Sequence, residues 1–130
     1  SWEGYAAGPA FARIAQQLFP TRWGAAVTTP EITALAHAGD PDAVAVVTHV
    51  GEWLGRGLAV LADVLNPEMI VVGSMGVRLG DLLLEPARRM LRAEALPGTA
   101  EVCRVVPAAL GESIGDVAAL CAAIENLRPD

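Results

Sequence analysis

Asn66-Pro67-Glu68-Met69-Ile70-Val71-Val72-Gly73-Ser74-Met75-Gly76 is the stretch the rest of the chain is arranged around. A long helical pattern runs into it. Met69 to Val72 is a continuous apolar run, too short and too β-branched for a buried helix, and fits a fully buried parallel strand. Gly73 to Arg78 then reads as a loop, and a further helical pattern follows. In open α/β sheets ligands sit just beyond the carboxyl end of such a strand, so Gly73 to Gly76 is the first candidate for a ligand contact.

Upstream, Asp40-Pro41 is a helix start: an N-cap, then proline at the first position. The helix runs to about Leu65, with Val47, Val50, Leu54, Leu58, Leu61 and Leu65 on one broad face. Gly51, Gly55 and Gly57 inside it cost up to about 1 kcal/mol each relative to alanine, and the expected return is close approach of another backbone. Thr29-Pro30-Glu31 gives the same start signal for a short helix that ends at Gly39. Trp2 to Phe19 is helical, punctuated by Gly8-Pro9, with Phe11, Ile14, Ala15 and Leu18 at helical spacing. Pro20 to Thr28 is a loop.

Downstream, Asp81 to Arg92 is amphipathic, and Pro86 lies early enough to be borne in the first turns or to mark a bend. Pro97-Gly98 reads as a turn. Val102 to Val106 reads as a second strand, stopped by Pro107, and Ser113 to Asn126 as a last helix with Ile114, Val117, Leu120 and Ile124 inside. The order α, α, α, β, α, β, α implies a right-handed crossover and parallel strands, hence an α/β class. Two strands alone are marginal, so neighbouring strands are expected in a part of the protein outside this chain.

The 130 residues suffice for one domain with a core. Hydrophobic residues make up 53%, and the mean hydropathy of +0.42 is high. Either the core is alanine-rich and tightly packed, or some apolar surface faces a missing partner or a missing part of the chain. Charged residues or Gly/Pro interrupt every apolar run, so no membrane span is expected. The net charge is −6, and the basic residues are scattered apart from Arg88, Arg89 and Arg92, which read as a solvated helix face. With no basic stripe, direct nucleic-acid binding is not expected. Cys103 and Cys121 lie in no metal-ligand spacing and read as small core residues. Together with the lack of a signal peptide they point to the cytoplasm. The chain opens at Ser1-Trp2-Glu3 without an initiator methionine, which reads as a piece of something longer.

Chemistry-bearing candidates are few. Glu3, between Trp2 and Tyr5, could bind a sugar hydroxyl or simply stabilise a helix N-terminus. Gly73-Ser74-Met75-Gly76 could admit a phosphate or a nucleotide base, or be a tight connection; it is neither a Walker loop nor a full dinucleotide fingerprint. Gly111-Glu112-Ser113 is a second ligand-facing turn or a cap. His37 and His49 lack metal-ligand partners and read as boundary histidines. There is no Ser-His-Asp set, metal cluster or pair of catalytic carboxylates.

Three segments together resemble the ROK family (repressors, open reading frames and sugar kinases). Ser1-Trp2-Glu3-Gly4-Tyr5-Ala6-Ala7-Gly8-Pro9-Ala10 is similar to the stretch after the family's zinc loop, roughly Cys-x-Glu-x-x-x-(Ser/Ala)-Gly-Pro-Ala. Gly55-Arg56-Gly57-Leu58-Ala59 through Asn66-Pro67-Glu68 to Gly73 resembles its helix, strand and Gly-Gly. Ala108-Ala109-Leu110-Gly111-Glu112 resembles its carboxyl-terminal end.

The resemblance implies the C-terminal part of an actin-like, ribonuclease H-like sugar kinase over residues 1–130, without the N-terminal domain and the zinc loop. The parent would transfer the γ-phosphoryl group of ATP, with magnesium, to a hexose or N-acetylhexosamine, or would be a sugar-sensing repressor. A dimerisation module without catalysis is the third reading. Family members often dimerise through this half. Glu3 takes the place of the glutamate that binds sugar hydroxyls, a task suited to charge-assisted hydrogen bonds. Gly73 and Ser74, with Met75 beside them, take the place of the glycine pair lying against the adenosine. Two departures stand out. Ser1 replaces a zinc-ligating cysteine, and a hydroxyl is a poor ligand beside thiolates, which leaves zinc open. Ser74 replaces the second glycine, and Met75 adds bulk. The family's phosphate loops and catalytic-base aspartate are not in this chain, so no catalytic residue is assigned and the chain alone should not phosphorylate sugars.

Overall fold

The computed structural model describes residues 8–24 and 26–108. Helix starts are chemically explicit. The Asp40 carboxylate accepts from the backbone N–H groups of Asp42 and Ala43, both at 3.0 Å, satisfying two donors that the first turn leaves without helical partners. The helix behind it, α3 (Pro41–Leu65), ends on Asn66 in the left-handed conformation, φ 51°. The preceding short helix, α2 (Thr29–His37), is capped by Thr28 and not by Thr29. Thr28 Oγ1 accepts from Glu31 N–H at 3.4 Å and donates to the Glu31 carboxylate at 3.1 Å. The sequence offered two threonines in a row, and the one three residues before Glu31 wins because it closes that exchange. Gly39, at φ +88°, ends the turn after α2. Ahead of both lies α1 (Gly8–Leu18), whose predicted stripe is confirmed at Phe11, Ile14 and Ala15, all buried; Leu18 is 40% exposed.

The chain then alternates: β1 (Met69–Val72), α4 (Ser74–Leu79), α5 (Asp81–Glu94), α6 (Pro97–Val102) and β2 (Arg104–Pro107). β1 and β2 pair in parallel, with Met69 opposite Arg104, Ile70 opposite Val105 and Val71 opposite Val106. This is a helix-rich α/β arrangement, as expected. Its principal contact is α3 against α5. A Cβ placed on Gly51 would lie 2.5 Å from the Leu83 carbonyl oxygen and 2.9 Å from Pro86 Cβ. One on Gly55 would meet the Ala87 carbonyl oxygen and lie 2.7 Å from Met90 Cβ. The two glycines therefore admit the α5 backbone itself, the return expected for their helical cost. Pro86 sits inside α5, buried, against Gly51.

Several expectations need correction. Gly73 to Arg78 is not a loop. The Gly73 carbonyl accepts from Gly76 N–H (2.7 Å) and Val77 N–H (3.2 Å), and the chain turns at once into six-residue α4. Pro97-Gly98 opens a short helix, with proline where no helical donor is needed. The second strand begins at Arg104, not Val102, and includes Pro107. Arg104 N–H bonds the Glu68 carbonyl (2.9 Å) and Ala108 N–H the Val72 carbonyl (3.0 Å). By alternation, the nitrogens of Val105 and Pro107 face away from β1. Pro107 thus lacks a hydrogen only at the outer edge, where a strand tolerates it. Nor is β1 fully buried: Ile70 is 2% exposed but Met69 40%. The helices cover the Ile70 and Val105 face, and among the described residues no further strand lies beside β1.

By length and composition α3 could cross a membrane, against the expectation that no stretch would, but half of its most apolar window is buried within the fold. Its outer surface exposes Trp53, Val60 and Val64. The apolar residues therefore fill a real core and also leave apolar surface outside it.

Candidate functional site

β1 delivers the backbone to Gly73, a partly exposed residue without a side chain at the carboxyl end of the parallel pair. Two neighbours hold this joint. Ala108 bonds the last β1 carbonyl, that of Val72, fixing the end of β2 beside it. Gly76 is buried, and a Cβ there would lie 3.0 Å from Val72 Cβ and Cγ1 and 3.8 Å from Pro107 Cα. Its smallness is used by the protein's own strands, not left open toward solvent. Met75 is 6% exposed and belongs to the apolar core, so its bulk goes inward. Ser74 opens α4. At this joint Gly73 presents a bare, partly exposed backbone step.

The far end of α4 is anchored by a residue assigned no task by its spacing. His37 Nε2 donates to the Arg78 carbonyl at 2.6 Å, which ties α2 to the last turn of α4. Gly80, at φ +54°, lets the chain turn from α4 directly into α5. These contacts hold the Gly73 joint from behind. Histidine content alone could not reveal them, because the partner is a backbone carbonyl 41 residues away.

Arg88 departs from the solvated face expected of it. Its Nε and Nη2 donate to the Val105 carbonyl at 3.0 and 2.7 Å, and its Nη1 donates to Asp81 at 3.0 Å and Glu85 at 2.8 Å. By alternation Val105 faces the outer edge of β2, so this guanidinium occupies an edge carbonyl that would otherwise be open to another strand. Arg89 and Arg92 are exposed as expected. Cys103 is buried, and burial raises its thiol pKa, which suits an inert core residue better than a nucleophile.

Another charged cluster fastens the segment between α1 and α2. Arg22 reaches Asp40 at 2.6 Å and Asp42 at 2.8 Å, and its guanidinium carbon lies 4.5 Å from the Trp23 ring centroid. The Arg22 hydrogen bond, helped by Ala43 N–H, holds the Asp40 carboxyl at about 2, below the ordinary 3.8. Since Asp40 also caps α3, the contact is explained structurally.

Among the described residues no group of three or more His, Cys, Asp or Glu could hold a metal ion. Glu3, Ser1, Gly111-Glu112-Ser113 and Cys121 lie outside the described residues. The structure therefore brings Gly73, Ser74 and Met75 together at one joint and does not speak to Glu3.

A match to the ROK family spans residues 1–125. A glucokinase of Halalkalibacterium halodurans is 38% identical over 89 residues, covering 68% of this chain and 27% of that protein. A glucokinase of Streptomyces coelicolor is 33% identical over 132 aligned residues, 91% of this chain and 42% of that protein. The DNA-binding transcriptional repressor Mlc of Escherichia coli is 31% identical over 85 residues, 65% of this chain and 21% of that protein. The chain thus spans less than half the length of either glucokinase.

Proposed function

The chain belongs to the ROK family, and on that premise we propose that it is the C-terminal part of an ATP-dependent hexose kinase with an actin-like fold. The observation that carries the reading is the similarity to two glucokinases, one of them along 91% of the chain. The joint at the carboxyl end of β1 is consistent with it. Gly73 offers a bare, partly exposed backbone step, and a flat nucleoside can rest against such a step without displacing a side chain. Ser74, beside it, completes that wall; Met75 contributes from the core side. The fit is to the adenosine part and not to the phosphates.

ATP, when bound, supplies the phosphoryl group. This chain's share is to position: Gly73 and Ser74 flank the nucleoside, and Glu3 accepts hydrogen bonds from hydroxyls of a hexose or N-acetylhexosamine. Magnesium would come with the ATP, and a zinc site would have to do without the thiolate that Ser1 replaces. The base and the phosphate loops belong to the remainder of the parent, which we place in the cytoplasm as a homodimer. The exposed Trp53, Val60 and Val64 of α3 supply apolar surface suited to that association.

A second reading rests on the similarity to Mlc: the same half would sense a sugar in a repressor. The residues preceding Ser1 discriminate, since a helix-turn-helix pattern favours the repressor and an aspartate-bearing phosphate loop the kinase. For the sugar site, Glu3→Gln in the full-length parent should weaken sugar binding by about tenfold, with nucleotide affinity preserved. Unchanged sugar affinity by calorimetry would remove Glu3 from the site.

A further inference from the structure

A cavity of about 280 Å³ lies between α5, α6 and β2, away from the Gly73 joint and bordered by the Arg88–Val105 contact. Its floor is apolar: Leu91, Cys103 and Val105 are 2%, 7% and 3% exposed. Its other walls include three arginines, Arg88, Arg92 and Arg104, and, among the described residues, no carboxylate. That is unusual company in a chain of net charge −6.

The three are not equivalent. Arg88 is spent on Asp81, Glu85 and the Val105 carbonyl. Arg92 makes no ion pair or hydrogen bond with a described residue. Among the described residues the Arg104 side chain makes one weak contact, Nη2 to Met69 Sδ at 4.0 Å. Among the described residues, two guanidinium charges therefore stand unneutralised around one apolar-floored cavity. Val105 N–H, on the outer side of β2, adds a backbone donor without a partner among the described residues. Like charges gathered without a counter-ion repel one another, and a bound dianion relieves that repulsion while accepting from planar donor forks.

We propose that this cavity binds a small organic phosphate monoester, its phosphoryl group held by Arg92 and Arg104 and its apolar body against Leu91 and Val105. The monoester dianion matches the two free charges, and the floor favours an organic body over a bare ion. Arg88 takes part as a positioning residue: by holding the edge carbonyl of Val105 it keeps that wall of the cavity donor-rich. This inference stands apart from the kinase reading, since it uses neither Glu3 nor Gly73.

The test is calorimetric titration of the full chain with phenyl phosphate and, separately, with inorganic phosphate. Phenyl phosphate should bind saturably at one site, and both Arg92→Gln and Arg104→Gln should weaken it by about tenfold. Arg89→Gln removes the same charge from the same helix outside the cavity and should change affinity by less than about twofold. Inorganic phosphate should bind at least about threefold more weakly than the monoester, for want of the apolar contact. All four substituted or native chains should give the same circular dichroism, since the three arginines are exposed. Absence of saturable binding overturns the proposal. So does equal weakening by all three substitutions, which would indicate a diffuse charge effect, and so does inorganic phosphate binding as tightly as the monoester.

Discussion

Two pairs of glycines do different work in this chain. Gly51 and Gly55 lie inside a helix, where glycine is poorly suited, and face the backbone of α5 so closely that no side chain fits. Gly73 follows the end of β1 and Gly76 lies in the first turn of α4, just beyond it, where glycine usually suggests a ligand. Of these, Gly76 is buried against Val72 and only Gly73 is open. The lesson is that a glycine motif cannot be read as one unit. Each member is explained by what stands opposite it, and three of these four are explained by the protein's own packing.

The comparison can be broken by substitution. Gly55→Ala should have the largest effect, destabilising the chain by about 2 kcal/mol in urea denaturation, because the new methyl meets a backbone carbonyl that cannot move alone. A neutral or stabilising result would mean that the α3–α5 approach is looser than described, and helix propensity would then dominate.

Arg88→Met should come next. It leaves the Val105 carbonyl without its donor and should cost about 1–2 kcal/mol by the same measurement. Increased self-association of this variant would be the companion sign, because an uncapped strand edge accepts other strands.

Gly76→Ala should be milder, at about 1 kcal/mol or less, because the tight neighbour is a side chain and alanine favours the helix that Gly76 occupies. Nucleotide affinity of the full-length parent should stay within about twofold, since Gly76 faces inward. A marked loss of affinity at normal stability would return Gly76 to the ligand site and erase the distinction between the two pairs.

The smallest effect concerns acid. Asp40 has its pKa lowered in the folded chain, so its contribution is fully present above its ordinary value of 3.8 and fades as pH falls toward about 2. Arg22→Gln removes the first cause of that shift. Stability of the variant, followed by circular dichroism from pH 5 to 2, should fall less steeply than that of the native chain; an identical slope would remove Arg22 from the account.

Particular residues show how far the sequence could be read. Met69 to Val72 was legible as a strand because a short β-branched run between a helix stop and a glycine has few alternatives. Asp40 was legible as a cap because its partners are its own next residues. The glycines of α3 were legible as a contact surface but not as to partner, since the partner lies some thirty positions away in α5. Arg88 was misread because arginines on a polar helix face are usually solvated, and only the return of β2 supplies the carbonyl that draws this one in. The turn into α4 after Gly73 is not legible in the sequence, because the missing side chain of Gly76 gains its meaning only once α4 packs on Val72.

What the sequence by itself determined is therefore local: the start of the long helix at Asp40-Pro41, the approximate place of both strands, and the motifs that carry the family resemblance. Those depend on neighbours within about four residues, whose chemistry is written side by side. Tertiary structure alone decided which glycine is open, which arginine caps an edge, and that Arg92 and Arg104 share a cavity. Each of these depends on groups far apart in the chain that meet only after burial has brought the helices and strands together, and burial is non-directional until packing selects the partners.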